Sequence, residues 1–254
     1  MRYKNYSPWI FGFVDKEDHC MVEYNCSVCG KKWLAQENEN YYDRPFDALL
    51  DTGSKWTDII GDGGSTFRIV SQRVLEIWES EGIGKFPTFP ITIVPPYKRM
   101  KEPPPMYYRL DEKKMIGAEF DFESSGFIDA KVCDVCGKLS FDWKQSDRME
   151  DFKITPYVLK EKTWNGTNVF CTEHLGYMFC TEKVIDCAAK YKMTNFRFTP
   201  LEIVGSALGF RGVDYMAKNW RKKMEKQIEE FRRDFRPIDP SPVQTISSDT
   251  KASI

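Results

Sequence analysis

The chain has 254 residues, of which 41% are hydrophobic and 30% charged, and its formal net charge is -1. This composition is typical of a globular protein with one large domain or two small ones, and the near-neutral balance excludes bulk charge as a basis for binding nucleic acid or an anionic membrane. No segment approaches the roughly 20 apolar residues of a membrane span, and no secretory signal is visible. A cytoplasmic location without a membrane partner is therefore expected.

Two short cysteine motifs are the most informative elements of the chain. CSVCG at residues 26–30 is matched by CDVCG at residues 133–137, an offset of 107. Such a knuckle supplies two thiolates to a metal ion, and its glycine lets the backbone turn with a positive φ. Four of the eight cysteines lie in these pairs, which in a reducing cytosol favours metal binding over disulfides. The motifs predict a structural zinc with these ligands: Cys26, Cys29, Cys133 and Cys136.

The spacing leaves the number of zinc sites open. The knuckles are 103 residues apart, much further than in a local zinc ribbon, so the pairs could share one ion or each complete a separate site. Separate sites would draw on His19-Cys20 beside the first knuckle and on Cys171 and His174 for the second. Redox activity is a further alternative, but redox pairs usually begin a helix in a thioredoxin-like setting, whereas Gly-Lys follows both pairs here. Structural zinc is favoured.

An acidic segment with adjacent tyrosines follows the first knuckle. Tyrosine is enriched at protein interfaces, and carboxylates could meet a basic partner. A solvated loop is the alternative for so short a stretch. The candidate partner-binding residues are Glu37, Glu39, Tyr41, Tyr42 and Asp43.

An internal repeat is visible when residues 67–94 are laid on residues 177–204, an offset of 110. In each copy a short apolar strand ends at a helix-capping residue, Ser71 or Thr181, and an amphipathic helix and an alternating strand follow. Gly82 is expected to close the first helix. Because the knuckles repeat in the same order, we predict a duplication with halves at residues 1–98 and 99–205 rather than a chance similarity.

The last fifty residues differ in character. From residue 214 to 235 apolar residues recur every three or four positions, opposite a face of Lys and Arg interleaved with Glu. This pattern predicts an amphipathic helix within an extension at residues 206–236, and the polar segment 237–254 is predicted to be disordered. The apolar stripe would dock on the body or on a second copy, so self-association through this helix is one expectation.

Familiar catalytic motifs are missing from the sequence. It contains no HExxH, no GxSxG and no Walker lysine. A zinc ion with four cysteine ligands has no open coordination position and cannot activate water. The expectation is therefore a non-enzymatic α+β protein, with two strand–helix–strand halves joined by a four-cysteine zinc site.

The two knuckles, together with CGKKW at residues 29–33, VSQR at 70–73 and NFRFTPLE at 195–202, resemble the double-CxxCG-motif proteins. That family includes bacterial immunity proteins encoded beside toxins delivered to neighbouring cells. The resemblance covers about residues 1–205, and it implies a protein that neutralises a cognate toxin by binding it, with the knuckle cysteines as metal ligands. The C-terminal helix departs from the family pattern. The alternative is a nucleic-acid-binding zinc protein that uses this basic helix, although its glutamates and the near-neutral chain disfavour that function.

Overall fold

The computed structural model describes several segments of the chain, which are residues 10–14, 21–36, 46–50, 55–60, 69–94, 102–125, 127–143, 157–196, 198, 201 and 219–234. Helices and strands are mixed within these segments, and the predicted α+β class is confirmed. No helix in the described ranges is both long and apolar enough to cross a membrane.

The described residues form three α-helices and fourteen strands. The helices are α1 (Gln72–Ser80), α2 (Glu182–Lys190) and α3 (Trp220–Asp234). The strands are β1 (Ile10–Val14), β2 (Met21–Asn25), β3 (Lys32–Gln36), β4 (Phe46–Leu50), β5 (Ile59–Ile60), β6 (Ile69–Ser71), β7 (Thr88–Val94), β8 (Tyr107–Leu110), β9 (Glu119–Asp121), β10 (Phe127–Val132), β11 (Leu139–Trp143), β12 (Val158–Lys160), β13 (Val169–Thr172) and β14 (Leu175–Cys180).

The largest sheet has six strands in the order β1-β4-β7-β8-β6-β5. Its β4–β7 pair is parallel and its other pairs are antiparallel. The remaining strands form two-stranded ladders, namely β2–β3, β10–β11, β9–β12 and β13–β14. Among the described residues, two apolar clusters contribute to the core, one on the large sheet around Tyr107 and one between the helices around Trp78.

Helices α1 and α2 begin directly after their predicted capping residues, Ser71 and Thr181. Helix α1 ends before Gly82, whose φ is +64°. The capping mechanism differs from the expected one, because neither hydroxyl caps its own helix by a hydrogen bond. Ser71 Oγ instead donates to Asp58 Oδ1 at 3.3 Å, and Thr181 Oγ1 donates to Asn168 Oδ1 at 2.9 Å. Each cap is thus tied to the residue that directly precedes β5 or β13.

The segments around α1 and α2 have equivalent features at positions that differ by 110 residues. Both helices have nine residues. Ile59 pairs with Val70 in the first segment, as Val169 pairs with Cys180 in the second. These correspondences are of the kind that a duplication requires, but the duplication itself and the predicted domain limits remain predictions.

The two helices lie against each other in one apolar cluster and exchange contacts at their ends. Arg73, at the start of α1, donates from Nη2 to the carbonyl of Tyr191 at the end of α2, at 2.7 Å. Lys183, at the start of α2, donates to the carbonyl of Gly82 beyond the end of α1, also at 2.7 Å. The helices therefore run antiparallel, and each receives a cation where its macrodipole is negative.

Helix α3 lies within the predicted range 214–235 and contacts the body of the protein. Arg221 forms ion pairs with Glu182 at 3.4 Å and Asp186 at 2.5 Å, both on α2, and Met224 packs against the cluster around Trp78. Residues 214–218 and the predicted disordered tail at 237–254 lie outside the described residues. Self-association through this helix remains a prediction.

A glycine before β9 permits close packing of two segments. A Cβ added at Gly117 would lie 2.5 Å from Phe170 Cβ and 2.8 Å from Thr167 Oγ1, closer than real Cβ atoms approach. We expect Gly117→Ala to lower the free energy of unfolding by about 2 kcal/mol, since neighbouring backbone must shift. Urea denaturation measures this loss. Gly166→Ala is the comparison variant, because nothing lies within 4 Å of a Cβ added there and only the positive φ opposes the substitution. Equal effects of the two variants would contradict the packing explanation.

Candidate metal centre

The first knuckle is the loop of the β2–β3 hairpin. The backbone N–H of Gly30 donates to the carbonyl of Cys26 at 2.9 Å, and the N–H of Cys26 donates to the carbonyl of Lys31 at 2.9 Å. Gly30 has a φ of +68°, a conformation that costs a residue with a side chain about 1 kcal/mol or more. The glycine of the motif therefore lets the turn bring both sulfurs to one side.

The second knuckle, in the β10–β11 hairpin, repeats this geometry. The N–H of Gly137 donates to the carbonyl of Cys133 at 2.8 Å, the N–H of Cys133 donates to the carbonyl of Lys138 at 3.0 Å, and Gly137 has a φ of +65°. The register also agrees, since Val132 pairs with Leu139 as Asn25 pairs with Lys32. Two local motifs that differ only at Ser27 and Asp134 thus fold in the same way.

The hairpins bring all four predicted cysteines together. Sγ of Cys26 lies 3.7 Å from Sγ of Cys133, and Sγ of Cys29 lies 3.5 Å from Sγ of Cys136. All four sulfurs lie within 4.8 Å of one another. A tetrahedral zinc with bonds of about 2.3 Å separates its thiolates by about 3.8 Å. The observed spacing therefore fits one ion shared by both knuckles.

Backbone amides of the knuckles stabilise negative charge on the first cysteine of each pair. The N–H groups of Cys29 and Val28 lower the pKa of Cys26 to about 6. The N–H groups of Cys136 and Val135 likewise lower the pKa of Cys133. These two thiols are buried, whereas Cys29 is exposed. Each turn therefore favours a thiolate, the form that binds metal.

At Cys136, by contrast, the neighbouring sulfurs raise the pKa of the thiol. The N–H of Lys138 lowers the pKa of Cys136, but desolvation and hydrogen bonds with the three neighbouring cysteines outweigh it and raise the pKa to about 12. Four thiolates at this spacing repel one another unless a cation lies among them. Binding of a metal cation would therefore displace a proton from Cys136.

The lysine that directly follows each knuckle contacts the opposite hairpin. Lys31 donates from Nζ to the carbonyl of Leu139 on β11. Lys138 Nζ lies 5.1 Å from the ring centroid of Trp33 on β3, and that ring stacks on Tyr24 at 5.5 Å. These contacts join the hairpins independently of the sulfurs and place positive charge beside a centre with four thiolates.

Other candidate ligands are not part of this cluster. Within the described part of the chain, the four knuckle cysteines are the one group of three or more potential ligand side chains close enough to share an ion. Cys171 is buried in β13, and His174 occupies the β13–β14 turn with a φ of +67°. A second site that combines them with the second knuckle is therefore not formed. His19 and Cys20 lie outside the described residues.

The predicted partner-binding segment also lies outside the described residues, so the structure places none of its members: Glu37, Glu39, Tyr41, Tyr42 and Asp43. Sequence reasoning missed the buried carboxylate of Asp58 and a cleft beside the second knuckle. Asp58 could have been found by extending the repeat, because Thr57 to Ile60 correspond to Thr167 to Phe170 at the same offset.

The fold and the site together define a mixed α+β protein with a four-cysteine cluster that could hold a metal ion. In comparisons with known proteins, no family model matches the chain and no curated protein matches it significantly. Its function is therefore argued from the cluster, the motifs and the surrounding surface.

Proposed function

We propose that the four knuckle cysteines hold one structural zinc ion that joins the β2–β3 and β10–β11 hairpins. The convergence of four sulfurs within 4.8 Å carries this proposal. Tetrahedral sites of four thiolates hold zinc or iron, and four cysteines leave a zinc ion no open position for catalysis. The metal would stabilise the fold rather than carry out a reaction.

Metal analysis tests the zinc proposal directly. The full chain, purified without chelator or metal affinity resin, is expected to carry about one zinc ion per molecule, as in other structural sites of four cysteines. Inductively coupled plasma mass spectrometry measures zinc and iron together. Iron in place of zinc would correct the identity of the metal, and a metal-free protein would overturn the proposal.

We further propose that the protein is a cytoplasmic immunity protein that neutralises a cognate toxin by binding it. The support is the likeness of both knuckles and of residues 70–73 and 195–202 to the double-CxxCG-motif proteins. A zinc site without an open position agrees with a binding role. On this proposal the zinc maintains the shape of a surface that covers the toxin.

The test uses the product of the neighbouring gene. That product is expected to co-purify with this chain when the two are expressed together, and to kill or arrest cells when expressed without it. Restoration of growth by this chain, but not by an unrelated zinc protein, would support neutralisation. A harmless neighbour, or a toxic one that this chain neither binds nor blocks, would overturn the proposal.

Nucleic-acid binding through helix α3 has weaker support. Arg221 is engaged by two acidic residues of α2, whereas Lys222, Lys223 and Lys226 are exposed. Binding through these lysines would weaken steeply with salt, because counterions are released from the phosphates. An electrophoretic mobility assay with duplex DNA and single-stranded RNA at two salt concentrations distinguishes this function from toxin binding.

A further inference from the structure

A cleft of about 420 Å³ lies beside the second knuckle. Its walls come from the segment that enters β9, from β10 and β12, and from the β13–β14 turn. The apolar part of the lining comprises Ile116, Phe120, Phe122 and Val132, and the charged part comprises Glu119, Lys160, Glu173 and His174. The lining thus combines apolar and charged side chains, as ligand-binding sites do.

Two of its apolar residues are unusually exposed. Val132 is 41% exposed and Ile116 is 39% exposed. Val132 directly precedes the knuckle cysteine Cys133, whereas Val135, which is 67% exposed, does not line the cleft. Exposed apolar side chains that lie near one another mark interaction surfaces, whereas single ones need no explanation. Ile116 and Val132 therefore give the cleft an exposed apolar surface next to the metal centre.

The wall of the cleft is held in place by the body of the protein. The N–H of Gly117 donates to the carbonyl of Cys171 at 3.0 Å, and the carbonyl of Gly117 accepts from the N–H of Asn165 at 2.9 Å. The N–H of Glu119 donates to Thr163 Oγ1 at 2.8 Å. Because these backbone groups are already paired, a ligand would meet a preformed wall and lose little free energy in ordering it.

The charged part of the lining has an acidic excess. Lys160 Nζ pairs with Glu119 Oε2 at 2.9 Å. Glu173 has an exposed carboxylate, and Oε2 lies 3.7 Å from Nε2 of His174, which is charged only when protonated. With a neutral imidazole, two carboxylates face one ammonium group. The charged part of the lining would therefore attract a cation and repel an anion.

We propose that this cleft docks an extended segment of a partner protein in which an apolar side chain lies next to an arginine or lysine. The apolar side chain would cover Ile116 and Val132, and the cation would pair with Glu173. The dimensions suit one or two large side chains rather than a folded domain. The identification of the partner with a toxin rests on the proposed function, whereas the chemistry of the docked segment does not.

A peptide array tests this specificity with the zinc-loaded full chain. The probes are synthetic peptides of about ten residues with a central Leu or Phe flanked by Arg, Gln or Glu. Arg-flanked peptides are expected to bind at least about tenfold more tightly than Glu-flanked ones. Val132→Asp is expected to abolish this binding, whereas Val135→Asp, three residues away but outside the cleft lining, leaves it unchanged.

Glu173→Arg provides a second variant, since its side chain is exposed and its replacement should not disturb folding. It is expected to reverse the preference toward Glu-flanked peptides. Equal binding of all peptides, no binding, or binding insensitive to both cleft variants would overturn the proposal. Growth protection separates the two proposals. Protection retained by Val132→Asp rejects the toxin as the partner that the cleft docks but not neutralisation, and cleft binding without protection rejects only neutralisation.

Discussion

Cys133→Ser is expected to abolish retention of zinc and to unfold the knuckle ends of both hairpins while the helical core remains folded. The sulfur of Cys133 is buried and lies 3.7 Å from that of Cys26, so its loss removes one of four ligands from the centre of the cluster. A serine hydroxyl is a poor zinc ligand because it stays protonated at neutral pH. The zinc content should fall from about one ion per chain to near zero.

The knuckle ends of the hairpins depend on the metal, whereas the far end of β10–β11 is anchored by the buried ring of Phe127, which contacts the rings of Phe120 and Tyr157. β2–β3 and β10–β11 are separate two-stranded ladders, and such ladders are marginally stable in water. The free energy of zinc binding is in such cases the free energy of folding. The cluster around Trp78, by contrast, buries apolar side chains of α1 and α2 without any contribution from the knuckles.

Hydrogen–deuterium exchange distinguishes this local unfolding from a global loss of stability. Amides at the knuckle ends of the hairpins, residues 25–32 and 132–139, should lose protection in Cys133→Ser and in chelator-treated protein, while those of α1 and α2 keep it. Val135→Ser is the matched control, because it changes the same knuckle at an exposed position and leaves all four sulfurs in place. Full zinc content in Cys133→Ser, or unchanged protection of the hairpins, would contradict the prediction.

The parts of the structure that could be predicted from the sequence depend on local chemistry. The knuckle motif specifies its own turn through the glycine, and Ser71, Thr181 and Gly82 limit the helices because their neighbours have strong helical periodicity. The spacing of the knuckles leaves open whether the two pairs meet at one ion, and the sulfur distances show that all four cysteines lie together. Whether they hold zinc remains a prediction.

Long-range pairing could not be predicted in the same way. The parallel pairing of β4 with β7 joins strands about forty residues apart, and no local residue pattern selects that partner. The cleft likewise combines β9, β10, β12 and the β13–β14 turn, so its lining cannot be read from any one motif. The hydroxyls of the helix caps illustrate the same limit, since tertiary contacts with Asp58 and Asn168 replaced the expected local bonds.

Asp58→Ala is expected to lower the free energy of unfolding by about 3 kcal/mol, because it removes an acceptor shared by four donors. The side chain of Asp58 is only 9% exposed. Its carboxylate accepts from Arg73 Nη1 at 2.8 Å, from the N–H and Oγ1 of Thr194 at 2.8 and 3.0 Å, and from Ser71 Oγ at 3.3 Å. Since Arg73 is half exposed, most of the loss comes from the other donors.

Asn168→Ala is the matched control, because Asn168 corresponds to Asp58 in the repeat at an offset of 110 residues. It makes two side-chain bonds, accepting from Thr181 Oγ1 at 2.9 Å and donating to the carbonyl of Ile83 at 3.0 Å. A loss of about 1–2 kcal/mol is expected there. Urea unfolding followed by tryptophan fluorescence compares the two variants. A cost for Asp58→Ala no greater than that of Asn168→Ala would contradict the role of this carboxylate in linking β5 to residues beyond α2.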